Sequence, residues 1–273
     1  MMKSFWFSFL ICFAVLAGPA HAQIRYEEIL KLNERFAPEG LQYAKQQGAE
    51  IMPTRDGRSF VLWWQPENFN PQKDTVLVSM HGHGGWADKD FQIWHPFIKG
   101  RGYAFLGVQW WYGRSMESFG YAKPAEIYPW IRQALEAKGI PPKHVIFTGF
   151  SMGGANCYAV AYQDHLQPQP YFAVVIGNAG AMEADFPPNA AFLNSKDPMA
   201  FTGMNFFLYC SEHDEQRPQS CEKMQWTKEQ IENRGGTVHK FIKDPVHGHG
   251  GFMRPENHGP VLAAADLIVS QEK

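Results

Sequence analysis

Charge is sparse and nearly balanced in this 273-residue chain: Asp, Glu, Lys and Arg make up 19% of it, and 25 basic against 27 acidic residues leave a formal net charge of −2. That balance excludes a basic face for nucleic acid or for an acidic lipid surface. Long apolar runs are also lacking. Only Phe5 to Ala17 qualifies, and it is shorter than the roughly 20 residues of a membrane span. No repeat, Pro/Ser-rich linker or charge block interrupts the remainder, so nothing marks a boundary between domains. Cysteines number four. Aromatics, by contrast, reach 15%, with tryptophans clustered at Trp63, Trp64, Trp86, Trp94, Trp110 and Trp111. Such rings serve first as core, and secondly as the lining of a groove for a sugar or an aromatic acyl group.

The N-terminus is read by its composition. Lys3 precedes the apolar run, and Ala20, His21 and Ala22 supply small residues at both positions that a signal peptidase reads. Residues 1–22 are therefore expected to be a secretory signal, and 23–273 a single exported α/β domain, secreted or periplasmic, with no membrane span left and a net charge of −3 without Lys3. Cys12 is followed by Phe13 and does not follow a small-residue cleavage box, so a lipid-anchored cysteine is not expected. Export permits disulfides. Cys210 and Cys221 bracket a polar loop and are expected to pair, with two unpaired thiols as the alternative, whereas Cys157 lies in an apolar segment and reads as a buried thiol.

Strand-like apolar runs recur at Ser59–Trp64, Thr75–Met80, Tyr103–Gln109, Val145–Thr148, Phe172–Ile176, Asn205–Cys210 and Thr237–Ile242. Helical patterns occupy Ile24–Phe36, Ala125–Lys138, Gly153–His165, Ser220–Asn233 and Glu256–Ser270. Continuous apolar strands alternating with amphipathic helices predict a mostly parallel sheet covered on both faces. The stretch from Gly177 to Gly203 holds Pro187, Pro188 and Pro198 and no long helical pattern, which leaves no room for a large lid.

Chemistry concentrates at Gly149-Phe150-Ser151-Met152-Gly153-Gly154, a G-x-S-x-G pattern between an apolar strand and an Ala-rich helix. A serine on so sharp a turn is held in a strained backbone conformation with its hydroxyl exposed, and the flanking glycines let strand and helix close together. Ser151 is the expected nucleophile. After Met80 comes His81-Gly82-His83-Gly84-Gly85-Trp86, a glycine-rich loop able to aim an amide at a developing oxyanion together with the amide of Met152. The His83 amide is favoured as the second donor, with Gly82 or Gly84 as alternatives. Asp214, four residues past the strand that ends at Cys210, is the expected acid, and Glu212 the alternative. His249, between Gly248 and Gly250, is the expected base, and His247 the alternative.

Ser151, Asp214 and His249 stand in the order serine, acid, histidine, and with the oxyanion loop they make the chain resemble an α/β-hydrolase over nearly all of residues 23–273. More narrowly it resembles single-domain secreted esterases of the feruloyl-esterase and polyhydroxybutyrate-depolymerase kind. The resemblance implies an acyl-enzyme on Ser151, hydrolysis of carboxylic esters of small molecules or polymers, and no cofactor or metal. Three rival readings remain open here. The His81/His83 and His247/His249 pairs could approach a zinc ion, a hydrolase-like fold could bind without catalysis, and a prolyl-peptidase-like enzyme shares the same residue order.

Overall fold

The computed structural model describes residues 24–194 and 198–272, and the expected signal segment lies outside them. Among the described residues there are eight strands and eight α-helices. The chain begins with α1 (Tyr26–Phe36), α2 (Pro38–Gln46), β1 (Glu50–Pro53), β2 (Phe60–Trp64), β3 (Val76–Met80), α3 (Ala87–Ile98) and β4 (Ala104–Val108). It continues through α4 (Pro124–Ala137), β5 (Val145–Phe150), α5 (Met152–His165), β6 (Phe172–Asn178), α6 (Pro187–Leu193), β7 (Asn205–Ser211), α7 (Ser220–Glu232), β8 (Thr237–Asp244) and α8 (Pro255–Glu272).

All eight strands form one sheet in the order β1-β2-β4-β3-β5-β6-β7-β8. β1 and β2 run antiparallel to their neighbours, and β4 through β8 pair in parallel. Residues in β2, β3, β4 and β6 are buried throughout, because helices cover both faces and no strand position there can face water. α3 and α8 share one face, where the Phe97 and His258 rings meet at 4.1 Å. α4, α5 and α7 cover the other. There the Tyr128 hydroxyl donates to Asp164 at 3.0 Å, and that of Tyr158 reaches the Met224 sulfur at 3.6 Å. Trp63, Trp64, Trp86, Trp94 and Trp110 are buried in this core, and Trp111 is half-buried.

Every expected strand is present to within two residues, and four strands or α-helices appear that the sequence pattern did not predict: α2, β1, α3 and the short α6. α3 hides its period because Asp88, Asp90 and His95 share its buried face with Phe91, Trp94 and Ile98. These polar groups find partners instead of water: Asn33 of α1 donates to Asp88 at 2.5 Å, Ser79 donates to Asp90, and Tyr43 of α2 meets His95 at 2.8 Å. The stretch after β6 carries only the seven-residue α6 among its described residues, in keeping with the expected lack of a large lid. No helix among the described residues is long and apolar enough to cross a membrane.

From β3 the chain moves to β4 on one side and then returns to β5 on the other. Such a reversal opens a crevice at the carboxyl ends of the strands, the place where open α/β sheets bind ligands. The loop His81–Gly85 follows β3 and Ser151 follows β5, so both line that crevice.

Candidate active site

Ser151 occupies the single-residue turn between β5 and α5 with φ 55° and ψ −116°, a left-handed conformation that costs a side-chain-bearing residue of order 1–3 kcal/mol. Its amide donates to the Asn178 carbonyl at 2.8 Å and its carbonyl accepts from Ala155 at 2.9 Å, which hold the turn in place. The glycines are required by contact. A Cβ on Gly149 would run into the Gly153 carbonyl, and one on Gly153 into the carbonyls of Met80 and His81. The helix can therefore start directly against the end of β3.

The loop after β3 passes over this turn, close enough that a Cβ on Gly82 would lie 3.3 Å from that of Ser151. Among the described residues, neither the His83 nor the Met152 amide has an acceptor. The Gly84 amide is already engaged, donating to the Tyr121 hydroxyl at 3.0 Å, which removes one of the two alternatives to His83. Tyr121 also stacks on the His83 ring at 5.8 Å and packs on Trp110 at 4.9 Å, so the β4–α4 connection fixes the loop from outside. His81 is buried against Trp110, whose indole N–H donates to the His81 carbonyl at 3.0 Å. Burial holds the His81 imidazole neutral, its pKa pushed down to about 4 despite the hydrogen bond to the Gly82 carbonyl.

Asp214 and His249 meet. Nδ1 of His249 lies 2.7 Å from Oδ2 of Asp214, and both side chains are almost fully buried. The other carboxylate oxygen accepts the amides of Gln216 and Arg217 at 3.0 and 2.9 Å, so the acid is fixed by its own turn. A carboxylate on Nδ1 places the ring proton there and leaves Nε2 of the neutral imidazole as a base. That Nε2 is buried and has no hydrogen-bond partner, and the ring packs on Phe150, the neighbour of Ser151, at 4.9 Å. Cys210 and Cys221 are bridged, as expected, so the loop bearing Asp214 is closed at its base; Cys157 is a buried free thiol.

The alternatives are placed elsewhere. Glu212 is exposed. His247 has its own carboxylate, with Nδ1 2.9 Å from Asp244 and Nε2 3.6 Å from Glu256. Burial would raise the Asp244 pKa, but the amides of His247 and Val246, the His247 ring and the Tyr209 hydroxyl together hold it well below the usual carboxylate range. This second pair ties the histidine loop to β8 and α8. Of the two His-x-His pairs, His81 stacks on Trp110 and His83 on Tyr121, and no group of three His, Cys, Asp or Glu among the described residues is arranged to hold a metal ion.

Beside Met152 lies a cavity of about 520 Å³ lined by Trp110, Phe119, Tyr121, Pro124, Asn156 and Phe186 among others. Sequence reasoning missed Tyr121 and Asn156. Tyr121 carries no local signal, since its role depends on a loop folding back over another. Asn156 does carry one, as a lone amide inside the apolar run Ala155–Val160 that starts the helix.

No family model and no curated protein matches this chain. Solved structures do. A fungal esterase from Rhizomucor miehei superposes with a TM-score of 0.65 over 90% of this chain and 92% of its own at 14% identity. The hyperthermophilic esterase of Pyrobaculum calidifontis gives 0.61 over 89% and 94%, also at 14% identity. An esterase from Mycobacterium marinum gives 0.61 over 89% and 90%, again at 14%. The chain has the α/β-hydrolase fold. Within that fold Ser151 occupies the turn between β5 and α5, and the loops bearing Asp214 and His249 follow the last two strands of the sheet.

Proposed function

We propose that the protein is a serine hydrolase that cleaves carboxylic esters through an acyl-enzyme on Ser151. The carrying observation is the buried Asp214–His249 pair with Nε2 unpartnered, packed against the turn that presents the serine. In this reading His249 Nε2 takes the Ser151 proton as Oγ attacks the ester carbonyl. The amides of Met152 and His83 receive the oxyanion. The imidazolium, stabilised by Asp214, then protonates the departing alcohol, and water repeats the sequence to release the acid. The absence of a large lid among the described residues, together with the exposed Met116 and Phe119 beside the crevice, favours esters carried on bulky alcohols or polymers. The Cys210–Cys221 bridge and the N-terminal signal pattern support a secreted or periplasmic protein in which residues 23–273 form one catalytic domain.

The test is intact-protein mass after exposure to a fluorophosphonate, with hydrolysis of a p-nitrophenyl ester series in parallel. One adduct and ester turnover are expected, both abolished in Ser151→Ala. A folded protein that gives neither would overturn the reading.

A further inference from the structure

A strap between β4 and α4 crosses the loop that follows β3, and one methionine makes the contact. The strap is closed at its base. The Tyr112 amide donates to the Gly120 carbonyl and the Ala122 amide to the Trp110 carbonyl, each at 2.8 Å, and Trp111 and Tyr121 form a bridge. Inside it the Trp111 indole donates to the Ser115 carbonyl at 2.7 Å, which fixes the turn that presents Met116.

Three contacts join Met116 to the His81–Gly85 loop. Its sulfur accepts the Tyr121 hydroxyl at 3.7 Å, and that hydroxyl in turn accepts the Gly84 amide at 3.0 Å. Its carbonyl accepts Nε2 of His83 at 3.3 Å. Its methyl lies over Gly84, which has φ 61° and where an added Cβ would come within 2.5 Å of that methyl. Met116 is nonetheless 54% exposed, whereas Met80, Met182 and Met224 are fully buried. Among the described residues only Met199 is comparably open. Cys157, the free thiol among them, is buried, and burial pushes its pKa up, so it offers no thiolate to an oxidant. An exposed thioether is then the readiest target.

We propose that Met116 is a modification site whose oxidation by a peroxide turns down ester hydrolysis. The sulfur lone pair attacks one oxygen of hydrogen peroxide, the O–O bond breaks, and an S=O bond forms as water leaves; sulfur is oxidised by two electrons and the peroxide reduced. A weakly accepting thioether becomes a polar sulfoxide with a strongly accepting oxygen. That oxygen enters a contact already too close for a Cβ and draws the Tyr121 hydroxyl toward itself. The clasp on Gly84 loosens, and the neighbouring His83 amide is no longer aimed. The inference rests on the reading of His83 as an oxyanion donor to the Ser151 reaction.

The native protein is treated with rising doses of hydrogen peroxide. Peptide mapping by mass spectrometry gives the sulfoxide fraction at each methionine, and turnover of p-nitrophenyl acetate is measured on the same samples. The kcat is expected to fall in step with Met116 oxidation, to about a tenth at full conversion, with KM nearly unchanged. Methionine sulfoxide reductases of both epimer specificities should restore it. Met116→Leu, compared with its own untreated sample, should lose no turnover at those doses. Hydrogen exchange of the peptide spanning His81 to Trp86 should quicken on oxidation of the native protein and not of Met116→Leu. Turnover that survives full conversion of Met116, that follows Met152 or Met199 instead, or that falls equally in Met116→Leu overturns the proposal. Absence of ester turnover before any treatment would overturn the hydrolase reading alone. The exchange rate then decides the coupling: quickened exchange upholds it, and an unchanged rate overturns it.

Discussion

The side chain of Asp214 is held at both oxygens, one by its own turn and one by His249, and this predicts how its loss will read out. Asp214→Asn keeps the shape but offers Nδ1 an ambiguous partner, so His249 loses its fixed tautomer. We expect kcat/KM for esters to fall by about three to four orders of magnitude with little change in thermal stability. His247→Gln tests the converse. It leaves the Asp214–His249 pair in place and breaks the Asp244 cluster, so stability should fall by about 1–2 kcal/mol in urea unfolding while kcat/KM changes less than about threefold. Tyr121→Phe removes the acceptor of the Gly84 amide and loosens the loop that presents the His83 amide. Steady-state kinetics should show kcat down by about tenfold with KM nearly unchanged, since the interaction acts on the transition state. The placement of Ser151, Asp214 and His249 beyond the ends of β5, β7 and β8 was legible in the sequence because unbroken apolar runs mark those strands. The choice between His249 and His247 was not, because both sit beside glycine and only the fold shows which carboxylate each one meets. Tyr121 lay beyond reach for a related reason: its partner is 37 residues away and joined to it by a loop.

At the scale of elements, the strands were readable because burial on both faces writes an unbroken apolar run, as in Val76–Met80 and Phe172–Asn178. α3 was not, since its buried face carries two carboxylates and a histidine whose partners are contributed by α1, β3 and α2. The short edge strand β1, exposed or half-buried along its length, offers no apolar alternation either. The disulfide couples two elements, joining the end of β7 to the start of α7 across the loop that carries Asp214. Its removal in a Cys210→Ala, Cys221→Ala double variant should cost about 3 kcal/mol in the chain-entropy account. Tm should fall by several degrees, and ester turnover should drop before the fold is lost, because the freed loop no longer holds Asp214 against His249. Activity and circular dichroism followed together along a reductant titration of the native protein check this. Loss of both signals in step would contradict it.

For the whole molecule, two buried groups pull its acid stability in opposite directions. His81 is neutral in the folded protein down to about pH 4, whereas the unfolded chain takes up that proton near 6.5. Stability therefore declines as pH falls through that window, by about 3 kcal/mol in total. Asp90, desolvated behind β3, has its pKa pushed up to about 6, against 3.8 unfolded. The folded state binds that proton first, so stability rises as pH falls from 6 toward 4 and offsets most of the histidine effect. Asp90→Asn removes the compensation. Chemical denaturation should find the stability of the variant relative to the parent falling by about 2 kcal/mol between pH 7.5 and pH 4.5, starting from parity or a gain at the higher pH. At the far end of the molecule, Lys143 just ahead of β5 pairs with Glu272 at the end of α8 at 3.9 Å. The six residues of β5 separate that ion pair from Ser151, a span of about 20 Å. A tether attached beyond α8 would thus anchor the molecule by the rim opposite its crevice. On a bead or a cell surface every copy would face outward, with its mouth open to a substrate too large to diffuse.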